Sequence, residues 1–217
     1  MLAATPDSSV SRRLGTLALG LVLVATGVAM MIRAEVGVAP YDVLTTGLAE
    51  LTDLDVGVAA MVVPLVFTAL GWAIGRRPGP GTVLAVLLVG PILGVVLDAL
   101  PDHEAMAARL PLFVGGFVLI AAGITAVVVA EIGPGPAEVL MLAIHERGYP
   151  LAPVRTGIEV TCVAVGWALG GQIGVGTVVV ALLIGPLLRW MLSTAGYPAA
   201  TAERPLDEAV DCAAPGA

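Results

Sequence analysis

The decisive stretch is Glu35-Val36-Gly37-Val38-Ala39-Pro40-Tyr41-Asp42-Val43-Leu44, and it occurs twice. Its second copy is Glu131-Ile132-Gly133-Pro134-Gly135-Pro136-Ala137-Glu138-Val139-Leu140, 96 positions later. In each copy glycine and proline stop one helix, at Gly37 and Pro40 and again at Gly133 and Pro136. Proline is well placed at the first position of the next helix, where its missing N–H is not needed. Asp42 and Glu138 follow two residues later. They fall in the first turn, where a carboxylate favours the positive end of the helix dipole. The new helices are expected near 41–51 and 137–147. Both are shorter than the roughly 20 residues that cross a bilayer, so each lies on the interface or re-enters the membrane.

Working outward, the match spreads over most of the chain. Residues 13–44 fall on 109–140 with 13 of 32 positions identical, and residues 69–91 fall on 164–186 with 13 of 23 identical. Each repeat holds three apolar segments. They are 14–32, 56–74 and 81–97 in the first, and 110–130, 152–169 and 173–191 in the second. The fifth is the most polar, because it holds Arg155 and Glu159; Pro64 is expected to kink the second. The expected fold is therefore all-α, a polytopic membrane protein with six transmembrane helices. Two repeats, 12–100 and 109–195, follow a cytoplasmic arm at 1–11 and precede an acidic cytoplasmic tail at 199–217. Three spans per repeat is an odd number, so the two halves must cross in opposite directions, as inverted-repeat transporters do. Ser11-Arg12-Arg13 resembles the start of a signal peptide. The apolar run behind it is too long for one and has an internal copy, so it is read as an uncleaved first span.

Composition agrees. The 217 residues are 58% hydrophobic and 12% charged, whereas soluble domains carry about 25% charged residues. Too little polar surface is available to cover a soluble globule. The two cysteines, Cys162 and Cys212, build no disulfide framework. His103 and His145 have no partner at metal-ligand spacing. Neither a cofactor nor a metal is expected, and no basic patch suits nucleic acid. Every one of the ten basic residues is arginine, and cytoplasmic loops attract them. Placing Arg12, Arg13, Arg76, Arg77, Arg147 and Arg155 inside puts both termini in the cytoplasm and the protein in the inner (plasma) membrane. The repeat mates of Arg76 and Arg77 are Gly171 and Gln172, so equivalent loops differ in charge, as opposite membrane sides require.

The candidate binding residues for a small solute or proton are Glu35, Asp42, Glu131, Glu138 and Tyr41. Helix N-termini attract anionic groups, and broken helices often build transporter sites. The plainer alternative is that acids at span ends sit in water and acids in a first turn cap a helix. Glu159 and Arg189 are intramembrane charges of second rank. Arg155 and Glu159 are spaced to pair on one helix face, and Arg189 can snorkel to the interface. Matched glycines such as Gly20/Gly27 and Gly116/Gly123 suit close helix packing in lipid. Trp72, Trp167 and Trp190 fall where interfacial anchors do.

The stretch at 35–44, with Gly37, Pro40, Asp42 and Leu44, resembles the YczE/YyaS/YitT group of bacterial multi-span membrane proteins. So do Gly81-Thr82 followed by Gly90-Pro91, and the size; the likeness is to the YczE type and covers most of residues 12–195. Tyr41 stands where an aromatic such as Trp is common in that group, and Ala137 replaces it in the second copy. The resemblance implies an integral inner-membrane protein and supplies no substrate. Two functions compete: a small secondary transporter or permease, and a non-transporting membrane scaffold or assembly partner. An enzyme is not expected, because no catalytic constellation is present. The lipid bilayer is the expected partner.

Overall fold

Proline and glycine set the helix boundaries. A computed structural model describes residues 6–101 and 105–196, and its regular elements among them are all α-helices. These are α1 (Pro6–Ala34), α2 (Pro40–Thr52), α3 (Val56–Ala73), α4 (Pro80–Ala99), α5 (Met106–Ala130), α6 (Pro136–His145), α7 (Leu151–Ala168) and α8 (Val175–Thr194). Pro40, Pro80 and Pro136 open α2, α4 and α6, as their lack of an N–H favours. The helix of α3 continues through Pro64. The first helix begins at Pro6 and so takes in about half of the arm expected at 1–11. Residues 1–5, His103 and the acidic tail at 199–217 lie outside the described residues.

Among the described residues, five helices are long and apolar enough to cross a membrane: α1 over Val10–Ala34, α3, α4, α5 and α8. Helix α7 forms where the fifth span was expected, yet it is not among them. Arg155, Thr156, Glu159 and Thr161 dilute its apolar character. Large apolar side chains face outward along the long helices, including Leu65, Leu70, Val95, Val178 and Leu182. Water would penalise such a surface and lipid would not. Trp72, Trp167 and Trp190 are exposed as well.

The core is built on α1 packed along α5. Gly27 meets Gly116 and Gly20 meets Gly123, so the two helices run antiparallel. A Cβ on Gly27 would sit 2.6 Å from the Gly116 carbonyl oxygen, and one on Gly123 would sit 2.7 Å from that of Gly20. Only glycine permits that approach, which replaces hydrophobic driving force with dense backbone contact. The short helices are exchanged between the halves, α2 packing on α7 and α6 on α3, whereas α4 stays on α1 and α8 on α5 within their own repeats. Two hydrogen bonds show the same exchange. The Gly176 N–H donates to Val36 O at 2.9 Å, and the Gly81 N–H to Ile132 O at 3.4 Å; at offsets of 95 and 96 these are repeat mates.

Apolar clusters mark the two ends. At one, Leu17 and Leu21 of α1 join Ala85 of α4 and Ala130 of α5. At the other, Ala34 and Val36 join Leu97, Phe113 and Val180.

Candidate functional site at two helix starts

The path into the site begins with two strained residues. Glu35 and Glu131, just past α1 and α5, take left-handed φ values of 52° and 51°, which non-glycine residues seldom adopt. Gly37 and Gly133 follow at φ 129° and 147°. The chain then doubles back. Glu35, Glu50 and Asp53 all line one cavity of about 560 Å³, so residues 35–53 leave that end of the molecule and return to it. Tyr41 lies on the innermost turn.

There Tyr41 meets the start of the other short helix. Tyr41, Ala137, Glu138, Arg155, Glu159 and Cys162 line a small half-open pocket of about 70 Å³. Tyr41 packs edge-to-face on Phe67, with ring centroids 5.3 Å apart and planes at 62°. That contact fixes the ring of Tyr41. Its buried hydroxyl has no hydrogen-bond partner among the described residues. A side chain at Gly135 would collide with the Glu138 carboxylate. That carboxylate therefore folds back over Gly135, the residue just before α6, at the positive end of the helix dipole. Arg155 Nε donates to Glu159 Oε1 at 3.0 Å, the i,i+4 pair that the spacing suggested. Thus a carboxylate, a phenol and an ion pair surround a space with room for a few water molecules.

The other candidates lie elsewhere. Asp42 is half-buried in the first turn of α2 and does not line this cavity. Glu35 pairs with Arg109 at 2.8 Å, and Glu131 pairs with Arg13. These pairs sit at opposite ends of α1 and α5. Arg189 is exposed on α8, and the partner of Glu159 is Arg155.

Sequence reasoning missed the role of Arg13 and Arg109. The signal was available, because both are repeat mates in the same window as the two glutamates. It also missed Gln172, whose Nε2 donates to Ile32 O at 3.0 Å and whose backbone N–H donates to Thr46 Oγ1 at 3.0 Å. No motif announces such a bridge; only the packed loop after α7 creates it.

Comparison with known proteins gives a family. The profile of a family of unknown function, DUF6198, matches residues 11–193. The chain is 31% identical over 176 residues to the "Uncharacterized membrane protein YczE" of Bacillus subtilis, covering 80% of this chain and 82% of that one. It is 26% identical over 183 residues to an "Uncharacterized protein" of Haemophilus influenzae, covering 84% of each. No solved structure gives a significant match. The chain belongs to the DUF6198 family and is a membrane protein of the YczE type.

Proposed function

We propose that the chain is a small secondary transporter or permease of the inner (plasma) membrane, built as two inverted three-helix repeats with six spans. The observation that carries this reading is the meeting of Tyr41, at the start of α2, with Ala137 and Glu138, at the start of α6, around one small half-open pocket. Transporters with inverted repeats commonly form their sites between discontinuous helices. The antiparallel α1 and α5 and the exchanged short helices support the inversion. Helix α7 serves as the fifth span, with Arg155 and Glu159 paired to lower the cost of burying them.

Arginine placement supports the sidedness. Arg13 pairs with Glu131 and Arg76 with Glu146. Both pairs lie at the end where α1 and α4 start and α5 finishes. Arg12, Arg77 and Arg147 neighbour them in sequence, and Arg33 and Arg109 lie at the other end. The arginine-rich end faces the cytoplasm, so both termini do.

In this reading Glu138 and Tyr41 act on the solute or on a coupled proton. Glu138 supplies the charge, and Tyr41 supplies a hydroxyl not engaged elsewhere. A cavity of about 70 Å³ is far below the roughly 300–1,000 Å³ of organic-ligand sites. It suits water or a small ion, and a larger solute requires α2 and α6 to part. No cofactor or metal takes part, and the chemistry is not enzymatic.

The test is reconstitution in proteoliposomes, with proton flux measured by an internal pH dye across a panel of small solutes. Glu138→Gln and Tyr41→Phe are each expected to cut solute-coupled flux about tenfold or more, the loss of one charge-assisted contact. Flux equal to that of empty liposomes for every solute would favour the scaffold reading.

A further inference from the structure

We propose that the cavity of about 560 Å³ at the end of α1 binds a small organic cation carrying a guanidinium or primary ammonium group. The inference goes beyond transport, since it concerns a second site and is read by binding alone. The cavity is lined by Arg33, Glu35, Thr46, Glu50, Asp53 and Gln172, among others. Its size falls in the range of about 300–1,000 Å³ typical of organic ligands.

Three features define the ligand. First, Glu50 and Asp53 sit at the C-terminal end of α2, where the dipole is negative and cations are favoured. No base lies in that last turn, and neither acid has an ion-pair partner in the described structure. Second, the other half shows how this position is normally neutralised. Glu146, the repeat mate of Glu50, is paired with Arg76. Arg147, the mate of Leu51, donates from Nη1 to Ala143 O in the last turn of α6 at 3.1 Å. In the first half the counterparts of those two arginines are Gly171 and Leu51. The carboxylate has been kept and both cations are missing.

Third, the other polar groups at this spot are engaged elsewhere or closed off. Gln172 Oε1 is buried without a partner, because its Nε2 is committed to Ile32 O. Thr46 Oγ1 donates to its own helix, to Asp42 O at 2.9 Å or Val43 O at 3.2 Å. Arg33 is turned toward Leu97 O, at 2.7 Å from Nη2, and Glu35 is held by Arg109. Two free carboxylates beside a cavity of this size match a ligand with several N–H donors and a positive charge. A metal ion fits less well. Among the described residues, no group of three or more His, Cys, Asp or Glu is placed to hold one.

The experiment measures binding of n-butylguanidinium to the full chain, purified in mild detergent, by calorimetry at low salt. The uncharged isostere n-butylurea is expected to bind at least about tenfold more weakly, since it lacks the charge-assisted contacts. The double variant Glu50→Gln/Asp53→Asn is expected to lose a similar factor. Both side chains are exposed, so the fold tolerates the change, and an unchanged elution profile checks it. Leu51→Arg transplants the second half's arginine and is expected to compete with the ligand, weakening it about fivefold or more. Equal affinity for the two isosteres overturns the proposal. So does full binding in the double variant, or displacement of the guanidinium by stoichiometric Ca²⁺ or Mg²⁺.

Discussion

The two halves share a backbone path and differ in how tightly they close. In the first half, α3 packs along α4. A Cβ on Gly57 would sit 2.8 Å from Gly90 O, and eight residues of α3 are buried, from Gly57 to Gly71. In the second half α7 and α8 barely touch, and only Cys162 and Gly166 of α7 are buried. The Gly-Pro pair recurs, as Gly90-Pro91 and Gly185-Pro186, but nothing approaches Gly185 within 4 Å. A duplicated motif thus has a packing role in one copy and none in the other. Sequence identity between repeats marks common ancestry of the element, and only the neighbours decide whether it works.

The largest effect expected from this comparison is Gly90→Leu against Gly185→Leu. At Gly90 the new side chain would run into Gly57 O and Met61. Overpacking of this kind costs about 3 kcal/mol. At Gly185 the same change meets open space, and the cost is below about 0.5 kcal/mol, as for surface substitutions. Thermal unfolding in detergent measures both. Equal destabilisation would mean that the second half closes as the first does, and the comparison would fail.

A smaller effect separates two matched threonines. Thr82 Oγ1 donates to Pro134 O at 2.6 Å and is fully buried. Its mate Thr177 reaches only its own N-cap, with Gly174 N–H donating to Thr177 Oγ1 at 3.3 Å. Thr82→Val leaves the Pro134 carbonyl without a donor and is expected to cost about 1–2 kcal/mol. Thr177→Val removes a longer, local contact and should cost about half as much. Reversal of that order, in the same unfolding assay, would show that the α6 loop is not held by Thr82.

Much of this was legible in the residues. The duplicated stretch at 35–44 and 131–140 gave both short helices nearly to the residue, because proline and glycine act through backbone sterics that need no neighbours. The long apolar runs gave the five helices able to cross a membrane. The site was legible in part. Asp42 and Glu138 are legible from their place in the first turn and Tyr41 from its place in the duplicated stretch, yet nothing local says that Tyr41 and Glu138 meet while Asp42 stays apart. Their meeting depends on α2 packing on α7 and α6 on α3, a long-range arrangement. Glu35 and Glu131 were grouped with them because they stand beside the helix break. The structure gives them the ends of α1 and α5, where antiparallel packing brings each to the arginine of the other repeat.

Those two ion pairs provide the finest test of the comparison. Arg13–Glu131 and Arg109–Glu35 are repeat mates with the halves exchanged. If the halves were equivalent, double-mutant cycles on the two pairs would return the same coupling. Exposure does not separate them. In one pair Arg109 is 24% exposed and Glu35 58%, and in the other Arg13 is 48% exposed and Glu131 40%, so water and salt screen the two pairs about alike. Exposed pairs contribute about 0.2–1 kcal/mol, and both couplings are expected in that range, within about 0.3 kcal/mol of each other. Cycles built from Arg→Ala and Glu→Gln variants, measured at low and high salt, read this directly. Raising the salt should shrink both couplings in proportion. Such equality means that the halves differ in their outer helices while the α1–α5 centre keeps the symmetry of the duplication; a clear difference in coupling or in salt dependence would carry the asymmetry into that centre too.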